Sequence, residues 1–204
     1  MAKTELDFEG VKLNGLDNVL KALHPKAYEK AIVRTLNELG TTIKKEIVQD
    51  VRKTYNVKAG YLKKRLPEKK ANSSNMVWRM YVPRSKPLNL MAFSGTKVTP
   101  NGLRFKELQG GKTHTIKKGF IGNGGKTAFV RISGTQMTDK TTKYSHSKKT
   151  GKRYKREKIR AAVGVSPSQM ISEELSKRKM KEVEKKLPDT FKRNFDFYIG
   201  KIGK

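Results

Sequence analysis

PKAYEKAIVRTLNELGTTIKKEIVQDVRKT, residues 25–54, is the stretch on which the fold turns. Within it Tyr28, Ile32, Leu36, Leu39, Ile43, Ile47 and Val51 recur every three or four positions, the stripe of an amphipathic helix about 40 Å long. Pro25 suits the first turn, and Asn56 offers a break before a short helical stretch, Lys58 to Leu66, that Pro67 ends. Beyond a polar, turn-rich segment at 68–75, Met76 to Val82 is rich in strand formers and stops at Pro83. Thr113 to Lys118 and Thr127 to Ser133 also read as strands, with Gly122, Gly124 and Gly125 marking the turn between them. In the second, Ala128, Val130 and Ile132 share one face and Phe129 and Arg131 the other. Arg160 to Val165 is a further strand candidate.

Toward the C-terminus, Ser166-Pro167-Ser168-Gln169 reads as a capping box that starts a helix, with Ile171, Leu175, Val183 and Leu187 following at helical spacing. Pro188 is expected to kink or restart that helix, and Phe191, Phe195, Tyr198 and Ile202 form a second stripe. The expected class is α+β, a long N-terminal amphipathic helix and a C-terminal helix packed on a mainly antiparallel sheet. One domain over 1–204 is expected, with an N-terminal arm at 1–24, a basic flexible arm or extended hairpin at 134–158, and a C-terminal helical extension at 188–204.

The chain has 204 residues, 47 Lys and Arg against 18 Asp and Glu, and a net charge of +29, far too basic for an ordinary metabolic enzyme. The excess is regional: residues 57–133 carry 17 basic and two acidic side chains, whereas residues 1–56 carry ten and eight. Such a field attracts polyanions, whether DNA, RNA, membrane surfaces or acidic protein rings. The longest apolar run, Leu90 to Phe93, is four residues, far short of the ~20 that span a bilayer. The first ten residues carry Glu5, Asp7 and Glu9 without an apolar stretch, so a soluble product kept inside the cell is expected. Without cysteine there are neither disulfides nor thiolate metal sites.

Catalytic chemistry finds little to work with. Gly111-Lys112-Thr113 and Gly125-Lys126-Thr127 end like phosphate-binding loops, but Lys106 and Phe120 stand where the first glycine is required. His24, His114 and His146 are scattered, and residues 57–158 hold only Glu68, Glu107, Asp139 and Glu157 as carboxylates. Lys118-Gly119-Phe120 opens like an RNA-recognition signature, but Ile121 replaces the small residue that should follow. No enzyme activity, cofactor or metal is expected.

Three separated stretches together resemble the prophage minor tail protein Z family, the tail completion proteins of long-tailed bacteriophages. The first is the long helix leading into Thr54-Tyr55-Asn56-Val57-Lys58-Ala59-Gly60-Tyr61-Leu62-Lys63-Lys64-Arg65-Leu66. The second is Lys117-Lys118-Gly119-Phe120-Ile121 with Ala128-Phe129-Val130-Arg131, and the third is Val165-Ser166-Pro167-Ser168-Gln169-Met170. The likeness runs through residues 25–190, departing in the longer basic arm and in Val-Ser-Pro-Ser where a Gly-Pro-Ser-Val run is usual. It implies a structural protein of the virion, made in the host cytoplasm. This protein would finish the head-proximal end of the tail tube and help join tail to head. The partners implied are the chain itself in a hexameric ring, the tail tube protein, the tail terminator and the head-tail connector, with genomic DNA in the channel as a further candidate and no membrane.

For docking, Tyr55, Asn56, Lys58, Lys63, Lys64 and Arg65 at the helix exit are the candidates, against the plainer role of capping the core. For DNA or another polyanion they are Lys148, Lys149, Lys152, Arg153, Lys155, Arg156 and Lys158, with Tyr144 and Tyr154 able to stack on bases. The alternative function is a sequence-independent nucleic-acid-binding protein of ribosomal or packaging type, its contacts made to phosphates.

Overall fold

A computed structural model describes residues 4–9, 21–82, 87–136, 144–146, 153–155 and 157–202. The fold is α+β as expected, with every strand pair antiparallel. Rather than one domain, the chain forms two compact units. Unit 1 comprises residues 1–53, 59–86 and 166–204, and unit 2 comprises 54–58 and 87–165.

Unit 1 is organised by helix α1, Pro25–Thr54, whose apolar stripe supplies Ile32, Leu36, Ile43, Ile47 and Val51 to the core. Strand β1, Thr4–Glu9, and strand β2, Glu68–Lys69, flank β3, Val77–Val82. The N-terminal segment expected as an arm therefore contains a strand, paired with β3 from Thr4–Val82 to Glu9–Val77. Period-two alternation buries Trp78, Met80 and Val82 of β3. Gly40 of α1 lies against the Trp78 ring, where a Cβ would fall 2.6 Å from Cγ. Asn37 holds the polar turn at 68–75 in place: its Nδ2 donates to the Ala71 carbonyl and its Oδ1 accepts from the Ala71 N–H, both at 2.9 Å.

Short helix α2, Ala59–Lys64, leads toward β2. Near the other end of the chain, Ser166 and Gln169 form the expected capping box at the start of α3, Pro167–Met170. The single helix expected after Ser166 is divided at Ile171, because Ser172 begins a second one, its Oγ accepting from the Leu175 N–H at 3.1 Å. This is α4, Glu173–Ile202, which runs unbroken through Pro188. The helix does not restart at that proline. Pro188 and Glu184 are both exposed, so water reaches the carbonyl that the ring deprives of a donor, while Val183, Leu187 and Phe191 stay buried on either side.

Helices α1 and α4 pair antiparallel. Tyr28 meets Phe191 edge-on, Asn194 donates to Thr35 at 3.0 Å, and Arg193 pairs with Glu38. Further along, Lys186 reaches Glu46 at 3.2 Å, and Lys179 lies 3.3 Å from Asp50 and 3.4 Å from Glu46. All the carboxylates of these interhelical pairs are on α1 and all the cations on α4. Asp50 is held below its ordinary 3.8 by the hydrogen bond from Lys53 and then by Lys179, and Glu38 below 4.5 by Arg193. Lys179 is raised above 10.5 by Glu182 and then by Asp50.

The two signs of shift bound a pH window. Depressed carboxylates stabilise the fold fully above 3.8–4.5 and stop doing so as pH falls through their lowered values; raised Lys179 stabilises below 10.5 and stops as pH rises past its own. The thermal midpoint is expected to be level between these limits and to fall outside both. Asp50→Asn should flatten the acid limb, as scanning calorimetry across pH would record.

Unit 2 carries two three-stranded sheets. One orders as β4, Lys97–Thr99, then β5, Gly102–Phe105, then β6, His114–Ile116. The other orders as β11, Glu157–Ala161, then β8, Thr127–Gln136, then β7, Gly119–Gly122. Strands β9, Tyr144–His146, and β10, Arg153–Lys155, pair antiparallel with each other within the segment expected as an arm or extended hairpin, of which 137–143, 147–152 and 156 lie outside the described residues. Turn residues Asn123, Gly124 and Gly125 all adopt positive φ, as a tight β7–β8 connection needs. Val57, Leu88, Leu90, Phe93, Leu103 and Ala128 are buried here. Asn89 works as Asn37 does: its Nδ2 donates to the Ala128 carbonyl at 3.0 Å and its Oδ1 accepts from the Ala128 N–H at 2.9 Å. That Oδ1 also caps the 3-10 turn Leu90–Ala92 by accepting from the Met91 N–H.

Candidate docking and polyanion-binding surfaces

The six docking candidates fall into two groups. Tyr55, Asn56 and Lys58 belong to unit 2 and Lys63, Lys64 and Arg65 to unit 1. Residues 54–58 form an extended strap threaded through the backbone of unit 2. Tyr55 bridges Leu108, Val57 bridges Phe93, and the Asn56 N–H donates to the Glu107 carbonyl at 2.7 Å. Nδ2 of Asn56 donates to the Ser94 and Lys106 carbonyls at 2.8 and 3.3 Å, while Lys58 Nζ donates to the Met91 carbonyl at 3.0 Å. Asn56 is thus engaged inside unit 2, and the buried Val57 anchors the strap.

Lys63, Lys64 and Arg65 are exposed. Leu62 and Leu66, four residues apart, are fully buried and turn the three intervening cations outward. This cluster is free to meet an acidic surface.

Unit 2 holds 19 Lys and Arg against three Asp and Glu, a balance of +16. Across β4 and β5, Lys97 stands directly opposite Arg104, and both are exposed. Like charges in that position repel, and neither has a carboxylate partner among the described residues. On the second sheet Lys118 is paired with Glu157 at 2.8 Å, whereas Lys126, Arg131, Lys158 and Arg160 are exposed. Of the arm candidates, Arg153 and Lys155 lie on β10, Lys158 is exposed on β11, and Lys148, Lys149, Lys152 and Arg156 lie outside the described residues. Tyr144 lies on β9 and Tyr154 on β10.

Sequence reading passes over the β7–β8 aromatic pair as a site. Phe120 and Phe129 stand opposite each other with near-parallel rings 5.6 Å apart, and the Arg131 guanidinium lies 4.9 Å from the Phe120 centroid. Placing Phe129 and Arg131 on one face was the available signal; the partner strand carrying Phe120 was the missing half.

Among the described residues no three His, Cys, Asp or Glu side chains come together to hold a metal ion, and no helix is long and apolar enough to cross a membrane. Comparison with known proteins finds no matching family model, no matching curated protein and no matching solved structure.

Proposed function

We propose that this chain is a non-catalytic structural protein of a long-tailed phage virion, one that completes the head-proximal end of the tail tube and helps join tail to head. What supports the reading is the resemblance in its three stretches, together with the arrangement at the first of them. Tyr55 to Lys58 is bonded to the backbone of unit 2 with Val57 buried, while Leu62 and Leu66 hold Lys63, Lys64 and Arg65 outward. A cationic cluster anchored in this way suits docking onto an acidic ring, and the proposed assembly is a ring of copies of this chain, sixfold as the tail is, facing the tail tube, terminator and connector.

Cryo-electron microscopy of intact particles tests the proposal, which predicts a ring of this chain at the head-proximal tail end. The triple variant Lys63→Glu, Lys64→Glu, Arg65→Glu alters only exposed groups and should change folding stability by less than about 1 kcal/mol. It should nevertheless leave heads and tails unjoined, seen as separate particles. Absence of the chain from purified virions would sink the reading. The alternative is a sequence-independent nucleic-acid-binding protein of ribosomal or packaging type, favoured by the 19-to-three excess of cations in unit 2.

A further inference from the structure

We infer that the face of the β7–β8–β11 sheet bearing Phe120, Phe129 and Arg131 is a stacking platform for single-stranded nucleic acid. The inference stands apart from the tail reading and from the basic arm.

Register places the members together. Phe120 faces Phe129 across β7 and β8, and Ile159 of β11 faces Arg131, so all four side chains emerge on one side of the sheet. On the opposite side Ala128 is fully buried, while Val130 is half-buried and Arg160, its partner on β11, is exposed. On the outer side Arg131 is exposed, Ile159 is 48% exposed, and Ala161, opposite Phe129, is exposed as well.

The geometry makes a stack of planar groups whose two rings are half-buried. A Cβ on Gly122 would come within 3.1 Å of Phe129 Cε2, so that ring lies over bare backbone rather than standing off the sheet. Phe120 overlaps it in an offset stack, ring centroids 5.6 Å apart with an interplanar angle of 25°, and Arg131 carries its guanidinium on to the Phe120 ring. Planar groups continue from Gly122 to Arg131 in one diagonal stripe. Bases stack on aromatic rings and on guanidinium planes whatever their identity, and the flanking cations meet the phosphates.

Charge selects the occupant. Arg131 is exposed on this face and Lys126 is exposed in the β7–β8 turn at its edge, while Lys158 and Arg160 alternate with Ile159 on β11 and belong to the other face; the described carboxylate of that sheet, Glu157, is already paired with Lys118. A polyanion with flat apolar faces fits this surface, and duplex DNA, whose bases are stacked on one another, does not offer them.

The experiment is fluorescence anisotropy of the full chain with a labelled oligothymidylate of about 16 nucleotides, and with a duplex of equal length, over a salt series. Phe129→Leu is expected to weaken single-strand binding about tenfold with the salt slope unchanged and duplex binding unaffected. Arg131→Ala should weaken it and also reduce the slope by about 0.7. Ile159→Glu, at an exposed position, should weaken single-strand binding comparably and serves if Phe129→Leu fails to fold. Wild-type single-strand affinity in the folded variants, or equal losses for single strand and duplex, would overturn the inference. A change in the sedimentation of Arg131→Glu with oligonucleotide binding intact would overturn it too, assigning the face to a protein partner.

Discussion

Gly40→Ala is expected to destabilise unit 1 by about 2 kcal/mol, although alanine is intrinsically the better helix former by about 1 kcal/mol. The added methyl would overlap the ring of Trp78, which is itself fully buried and has nowhere to retreat. Trp78 is the chain's only tryptophan, so its fluorescence during urea unfolding reads the loss directly. Adding Trp78→Phe should recover part of it, because the two positions share one volume and their effects cannot be additive. Unchanged stability in the single variant would show that helix and strand can separate there at no cost.

Asn89→Ala should cost unit 2 about 3 kcal/mol. Three hydrogen bonds end on that one side chain, and its removal strips the partner from the N–H of fully buried Ala128 and from the N–H of Met91. Hydrogen exchange checks the mechanism as well as the magnitude: the Ala128 amide should lose protection ahead of the rest of β8. Asn89→Asp keeps the acceptor but places a charge against the Ala128 carbonyl it once served, and should be no better than alanine.

Neither prediction could be drawn from the sequence. The stripe of α1, strand β3 and the Ser166–Gln169 capping box are legible because each repeats or pairs over three to seven residues. Strands β4, β5 and β7 are not, since Lys97–Thr99 buries none of its residues and Gly102–Phe105 buries only Leu103, leaving no alternation to read. The roles of Asn37 and Asn89 are not legible either, because nothing local shows that each will bond both the N–H and the carbonyl of a residue more than thirty positions away. The division into two units is hidden for a similar reason: the four residues between the helices, 55–58, look like a linker, and only their bonds to Phe93, Ser94, Lys106, Glu107 and Leu108 show them to be part of unit 2. Of the docking candidates, outward display of Lys63, Lys64 and Arg65 was readable from the Leu62–Leu66 spacing, whereas the engagement of Asn56 and Lys58 was not.

The antiparallel pairing of α1 with α4 also orders events in time. Arg178 and Asp50 are 128 positions apart in sequence, and Asn194 and Thr35 are 159 apart. At ribosomal speeds of about 5–20 residues per second, the first helix waits on the order of ten seconds for the last one to be synthesised. Throughout that interval its apolar stripe and its row of carboxylates lack their partner helix, and closing so distant a contact is slow even once the chain is complete. A young copy of this protein therefore displays an apolar stripe beside Glu38, Glu46 and Asp50, still without their α4 cations, until α4, Glu173–Ile202, has left the ribosome.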